Sequence, residues 1–154
     1  MVFKVLINCF YAFMGSLGFC VLFNIRGKNL FFASLGGGIG WFVYLMFSNF
    51  GYSSTLSLFI ASLSISIYSE IFARLMKTPV TTYIISAMLP LVPGSGMYYT
   101  MLESVKGNAD ASLSLGLKTL IDAGSIAVAI VLISSLSKFL ILYKFKNVNK
   151  KIGK

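Results

Sequence analysis

Long stretches of this sequence contain no charged residue, and they limit what the chain can fold into. Residues 5–25, 29–69 and 78–102 are free of Asp, Glu, Lys and Arg. A helix needs about 20 mostly apolar residues to cross the hydrocarbon core of a bilayer, and the second run is long enough for two such helices. Only 11% of all residues are charged, whereas a soluble domain carries roughly 25%. A soluble globular domain is therefore excluded.

The apolar runs predict an all-α integral membrane protein with five transmembrane helices. They are continuous rather than alternating, which favours helices over membrane strands. The spans are placed near residues 6–23, 30–48, 55–72, 79–101 and 119–141. They form a transmembrane domain over residues 1–142, which a basic tail over residues 143–154 follows.

Lysine and arginine are concentrated after every second predicted span. Arg26 and Lys28 follow the first span, Arg74 and Lys77 follow the third, and six lysines end or follow the fifth. Cytoplasmic loops carry an excess of Lys and Arg. We therefore expect a multi-pass protein of the plasma membrane, with its N-terminus outside and its C-terminus in the cytoplasm. The basic tail is expected to contact anionic lipid, and no nucleic-acid partner is expected because no recognition motif accompanies the charges.

The residue types present leave little chemistry for an enzyme. The chain has no His and two Cys, which excludes Ser-His-Asp and Cys-His arrangements and a zinc site of the usual His-containing kind. The glycine-rich run at residues 36–40 lacks the Gly-Lys-Ser/Thr ending of a phosphate-binding loop. We expect no enzyme activity, no cofactor and no metal.

The second predicted span carries small residues at helical spacing. Ala33, Gly36, Gly37 and Gly40 would let a neighbouring helix approach closely. Helix packing is the favoured interpretation, and a groove that lines a substrate path is the alternative.

The third predicted span carries hydroxyl groups on one face. Ser62 and Ser66 continue a stripe that starts at Thr55 and leads to Glu70. Such serines either line a path for a polar solute or bond the backbone of their own helix. Glu70 and Arg74 are four residues apart in the order that favours an ion pair within a helix, so a structural pair is preferred for them.

Asp122 is the acid nearest the interior of the membrane. Acids at such positions are costly and often functional. Because the fifth span is predicted to begin at residue 119, Asp122 would lie in its first turns, where the helix dipole stabilises a carboxylate. Lys118 is one turn away. A cap or ion pair and a role in proton or substrate coupling both remain open.

The fourth span is interrupted by prolines and glycines. Pro90 and Pro93 each remove a backbone donor, and Gly94 and Gly96 permit non-helical turns. Residues 79–89 would cover only about 16 Å as a helix, so the break is expected near the middle of the membrane. Unwound backbone is tolerated there against protein or a water-filled cavity, and secondary transporters place substrate sites at such breaks. The charge distribution favours two half-helices that together cross the membrane over a re-entrant hairpin. A plain proline kink in one continuous helix is the simpler alternative.

The same motif carries a family resemblance. Pro90-x-x-Pro93-Gly94-x-x-x-Tyr98-x-x-Met101 resembles the signature of the threonine/serine exporter family. Further matching features are Phe23-Asn24 before a short basic loop, the glycine-rich start of the second span up to Gly40-Trp41, and the turn Ala73-Arg74…Pro79. The resemblance covers roughly residues 10–140 and is to the small-subunit type, which corresponds to the C-terminal membrane half of the fused exporters.

The resemblance implies a subunit of a secondary membrane exporter for small polar metabolites, above all threonine and serine, that works with a second, large membrane subunit. There are two alternatives. The chain is a subunit of an exporter for dicarboxylates such as succinate, or it is a non-transporting membrane scaffold for a partner protein. Together with the patterns above, it gives these candidates for the substrate path or for coupling: Asn24, Ser62, Ser66, Glu70, Arg74, Pro90, Pro93, Gly94, Gly96, Tyr98 and Asp122.

Overall fold

The protein is a bundle of helices. The computed structural model describes the backbone of residues 2–152 and the side chains of residues 3–139. In chain order the elements are α1 (Val2–Leu22), α2 (Lys28–Asn49), α3 (Ser54–Met76), α4 (Val80–Met88), a 3-10 turn (Leu89–Leu91), α5 (Gly94–Val105) and α6 (Ala109–Ile152). The described residues contain no strand. The predicted all-α membrane fold is confirmed.

Four of these helices, α1, α2, α3 and α6, are long and apolar enough to cross a membrane. The bent pair of α4 and α5 supplies a fifth span when it is counted as one. The largest difference from the predicted spans is in α6, which begins at Ala109 instead of residue 119 and continues to Ile152. Lys118 therefore lies within a helix, and the predicted tail is helical as far as it is described. Its contacts with lipid fall outside the described side chains.

The predicted turn between the second and third spans separates α2 from α3. Gly51 has a φ of 87°, in the left-handed region that glycine adopts without strain. Ser53 then caps α3, because its side chain accepts a hydrogen bond from the N–H of Leu56 at 3.3 Å. Polar and glycine residues thus end one apolar helix and start the next.

Close backbone contacts place α2 at the centre of the bundle. A Cβ added at Gly37 would lie 1.9 Å from the Ser16 hydroxyl on α1, and one at Gly40 would lie 2.2 Å from the Ile65 side chain on α3. A Cβ at Gly36 would lie 3.0 Å from Ala87 on α4. Ala33 is also fully buried. The small residues of α2 thus let three helices approach it.

Two hydrogen bonds fix the direction of α6 relative to α3. Thr55 bonds Asp122 and Glu70 bonds Ser137, and both pairs are separated by 67 residues. Since residue numbers rise together along both helices, α3 and α6 are parallel. Because α3 and α6 are parallel, the chain between them has to return from the C-terminal end of α3 to the end of the bundle where α3 begins.

The bent pair of α4 and α5 makes that return. The two helices meet at a bend of 52°, which changes the direction of the chain without reversing it. Gly96 near the start of α5 packs against Thr119 on α6. Thr119 lies about one turn before Asp122, which contacts Thr55 at the start of α3. The chain therefore crosses the bundle between α3 and α6, and a hairpin that returns to the C-terminal end of α3 does not fit these contacts.

The break between α4 and α5 contains both prolines of the predicted motif. Pro90 lies within the 3-10 turn, and Pro93 directly precedes α5. Gly94 and Gly96 lie in the first turn of α5, and neither has a positive φ. Both glycines are helical, and the break lies directly before them, within the predicted Pro/Gly motif. Gly96 is needed for close packing, because a Cβ there would lie 2.3 Å from the hydroxyl oxygen of Thr119.

Candidate functional site

A cavity of about 320 Å³ lies beside the break between α4 and α5. The break itself forms one wall with Pro90–Pro93, and α2 contributes Trp41 and Tyr44. The remaining polar lining includes Ser54 of α3, Ser95, Gly96 and Tyr99 of α5, and Lys118, Thr119 and Asp122 of α6. Elements from most of the chain therefore meet at the interrupted helix.

Asp122 is the acid of this cavity, and it is 6% exposed. The Thr55 hydroxyl donates a hydrogen bond to one of its carboxylate oxygens at 2.5 Å. Of the alternatives left open for Asp122, the cap at a helix end does not apply, because α6 begins at Ala109 and Asp122 lies in the helix interior. The expected ion pair with Lys118 is also not formed, since the ion pairs among the described side chains are Glu70–Arg74 and Lys106–Glu103. The described partner of the Asp122 carboxylate is therefore the neutral Thr55 hydroxyl, and not a cation.

The start of α5 lines the same cavity and has backbone donors without an intrahelical acceptor. The N–H of Gly94 donates to the carbonyl of Val92 at 2.7 Å. The N–H of Met97 donates to the carbonyl of Pro93 at 3.2 Å, which is the first helical hydrogen bond of α5. The N–H groups of Ser95 and Gly96 lie between these two, where a helix has no intrahelical acceptor. Both residues line the cavity. A positive helix end thus lies on the same cavity as a buried carboxylate.

Glu70 and Arg74 lie at the other end of α3 and do not reach the cavity. Their predicted ion pair is present at 3.4 Å. Ser137 of α6 joins it, donating to Glu70 at 2.6 Å and accepting from Arg74 at 2.5 Å. Ser137 is buried, and nothing in the sequence pointed to it. The fifteen residues from Thr55 to Glu70 correspond to about 22 Å along the helix, so this cluster joins α3 to α6 far from Asp122.

Ser62 and Ser66 are fully buried between helices and do not line the cavity. The Ser66 hydroxyl donates to the Ser62 carbonyl at 2.8 Å, which is bonding to the backbone of its own helix. Of the hydroxyl stripe on α3, Thr55 is the member that contacts a cavity residue.

Asn24 and Tyr98 are also separate from the cavity. Asn24 lies in the loop between α1 and α2 with a φ of 56°, and it accepts a hydrogen bond from Arg26 at 2.8 Å. Tyr98 is 62% exposed and packs edge-on against Tyr99, with 5.3 Å between ring centroids. Tyr99, not Tyr98, lines the cavity.

Of the residues predicted for the substrate path, Pro90, Pro93, Gly96 and Asp122 meet at the cavity, which several residues that were not predicted also line. These are Trp41, Tyr44, Tyr99, Lys118 and Thr119. Lys118 carried a signal, because it is four residues before Asp122 on a helix. The contribution of Thr119 depends on the contact with Gly96 across two helices, which no local pattern indicates.

The comparison with known families gives a match over most of the chain. A family model described as threonine/serine exporter, ThrE, matches residues 8–136. This range includes every residue that lines the cavity. No solved structure matches the chain.

Proposed function

Because the chain belongs to the threonine/serine exporter family, we propose that it is one membrane subunit of a secondary exporter whose substrates are threonine and serine. The observation that carries this proposal is the cavity at the interrupted helix, where a buried acid, a lysine and unpaired backbone donors meet. Secondary transporters bind their solutes at such discontinuous helices. At about 320 Å³ the cavity is at the lower end of the range for small-molecule sites.

The acids of the chain support different roles within this proposal. Glu70 is engaged by Arg74 and Ser137, whereas Asp122 lines the cavity. Asp122 is therefore the acid that can meet a solute, whereas Glu70 is held in a structural ion pair. Energy for export comes from the membrane potential or the proton gradient, because the chain offers no phosphate-binding loop for nucleotide hydrolysis.

Incomplete coverage of α5 supports a second subunit. This helix forms one wall of the cavity, yet none of its residues is buried, and it packs chiefly against α6. Met97, Tyr98 and Met101 are each more than half exposed. Apolar faces of this kind mark protein or lipid contacts. We assign this face to the second, large membrane subunit of the same family, which would complete the wall of the path.

The proposed orientation follows from the basic residues. Arg26, Lys28, Arg74 and Lys77 lie at the same end of the bundle as Ser137, after which α6 continues into the basic tail. With this end in the cytoplasm the N-terminus lies outside, and the cavity lies toward the outer half of the membrane.

The experiment that tests the function measures export. Cells without native threonine exporters are loaded with a threonine-containing dipeptide and express the second subunit with or without this chain. Threonine efflux should be faster when both are present. Asp122→Asn and Pro93→Ala should slow efflux while the two subunits still co-purify.

Two other results separate the alternatives. Faster efflux of succinate but not of threonine would support the dicarboxylate exporter. Efflux that depends only on the amount of second subunit in the membrane, whichever variant of this chain is present, would support the scaffold. Equal efflux of all tested solutes with and without the chain would reject the exporter.

A further inference from the structure

We propose that the Asp122 carboxylate binds the ammonium group of the transported amino acid and that the N-terminus of α5 binds its carboxylate. This inference rests on the proposed export function and adds how the substrate is recognised. It defines the substrate class as free α-amino acids whose ammonium and carboxylate groups are both unmodified.

The first observation is that Asp122 is incompletely paired. A buried charge is stable only when partners replace its lost water. Among the described side chains, Asp122 has one hydrogen-bond donor, Thr55, which bonds one carboxylate oxygen. The other oxygen has no such partner, and the residue lines the cavity. An ammonium group in the cavity would supply both the opposite charge and the missing donors.

The second observation is the position of the α5 N-terminus relative to Asp122. Gly96 packs directly against Thr119, which is three residues before Asp122 on α6. Three residues correspond to about 4.5 Å along a helix axis. One small zwitterion can therefore reach both groups, since its ammonium and carboxylate are attached to the same carbon.

The positive side of the site has two components. The N–H groups of Ser95 and Gly96 lie at the first turn of α5, where helices bind anions. Gly96 has no side chain to screen its N–H. Lys118 lines the same cavity and forms no ion pair with a described side chain. A substrate carboxylate placed here would be balanced by positive groups on two helices.

This arrangement predicts selectivity against dicarboxylates. A dicarboxylate offers no ammonium to Asp122 and brings a second negative charge toward a buried carboxylate, which is unfavourable. N-acetyl-threonine lacks the ammonium, and threoninol lacks the carboxylate. Each compound removes one of the two proposed interactions.

The test is competition for radiolabelled threonine on the purified complex of this chain with its second subunit. Threonine and serine should compete well, and N-acetyl-threonine, threoninol and succinate poorly. Asp122→Asn should weaken threonine binding on the order of 10- to 100-fold, which is the range for hydrogen bonds to charged groups. It should leave the weak binding of N-acetyl-threonine unchanged. Asp110→Asn, at an exposed acid in the first turn of α6, is the matched control and should bind threonine as the unaltered complex does.

A second variant protects the test against misfolding. Thr55→Val removes the neutral hydrogen bond but keeps the charge of Asp122, so discrimination against N-acetyl-threonine should persist. An Asp122→Asn complex that loses affinity for threonine and N-acetyl-threonine alike would overturn the inference while leaving export intact as a function. Unchanged threonine binding with loss of proton-driven transport would also overturn it and would assign Asp122 to coupling. An unaltered complex that binds succinate in place of threonine would overturn both proposals.

Discussion

Ser137 on α6 donates a hydrogen bond to Glu70 on α3 at 2.6 Å, across 67 residues of sequence. The bond from Thr55 to Asp122 has the same separation at the opposite end of the helix pair. The cavity lies at one end of this parallel pair, and the ionic cluster lies at the other. The pair therefore joins the candidate substrate site to the end of the bundle that carries the basic residues.

Cysteine cross-linking should reproduce the register of this pair. In a variant without Cys9 and Cys20, Glu70→Cys with Ser137→Cys should form a disulfide in the membrane, because the two side chains touch. The combination of Thr55→Cys with Ser137→Cys should not, since about 22 Å separates the two levels along α3. Mass analysis of digested protein measures both. Efficient cross-linking of the second combination would contradict the parallel arrangement.

Loss of the Ser137 hydroxyl should destabilise the protein. Ser137→Ala leaves the partly buried Glu70 without its donor from α6. Glu70 keeps its ion pair with Arg74, but it loses a hydrogen bond to a charged group, which is worth about 1.5–3 kcal/mol, so the melting temperature of the detergent-purified protein should fall. Ser135→Ala, at an exposed position half a turn away, should leave it unchanged. Equal melting temperatures for the two variants would show that the cluster adds nothing to stability.

The contact between α1 and α2 should tolerate no side chain at Gly37. Gly37→Ala would place its Cβ 1.9 Å from the hydroxyl of Ser16. Overpacking of this kind costs about 1–3 kcal/mol, again measured as a lower melting temperature. Adding Ser16→Gly should recover most of the loss.

Gly18→Ala on α1 is the control for the glycine substitutions, because no neighbouring atom lies within 4 Å of its added Cβ. This variant should be neutral, or more stable by up to about 1 kcal/mol from better helix propensity. A similar loss of stability at Gly18 and Gly37 would contradict the packing explanation.

Gly96 should be required for export even though it lies in a helix. Gly96→Ala would place its Cβ 2.3 Å from the Thr119 hydroxyl oxygen, forcing α5 away from α6 at the wall of the cavity. Threonine efflux should fall several-fold, and Thr119→Ala in the same chain should restore part of it. Gly94→Ala meets no neighbouring atom within 4 Å and should export normally. The opposite ranking of the two glycine variants would exclude close packing as the reason for Gly96.

The orientation can be tested by labelling single cysteines in intact cells. Tyr52→Cys in the turn between α2 and α3 should react with an impermeant reagent from outside, because the positive-inside rule places this uncharged turn there. Arg26→Cys and Lys146→Cys should react only after the membrane is permeabilised. External labelling of the position in the tail would reverse the proposed orientation of α6.

The long apolar runs determined the fold class, because helices are the structures that satisfy the backbone within each such run. Pro90 and Pro93 likewise determined where the fourth span is interrupted, since neither residue has an N–H to donate. The spacing of Glu70 and Arg74 predicted their ion pair, which is a local property of a helix. These features depend on residues close to one another in the chain.

Other features required the tertiary structure. Because α6 begins at Ala109, Asp122 does not lie at a helix end. Its hydrogen-bond partner Thr55 belongs to α3, which ends more than thirty residues before α6 begins. The role of Gly96 depends on Thr119, and the cluster at Glu70 depends on Ser137. The sequence by itself determined that the chain crosses a membrane and where one span breaks. Which polar groups meet at that break was decided by the packing of α5 and α6, because contacts between helices depend on register and distance, which local periodicity does not encode.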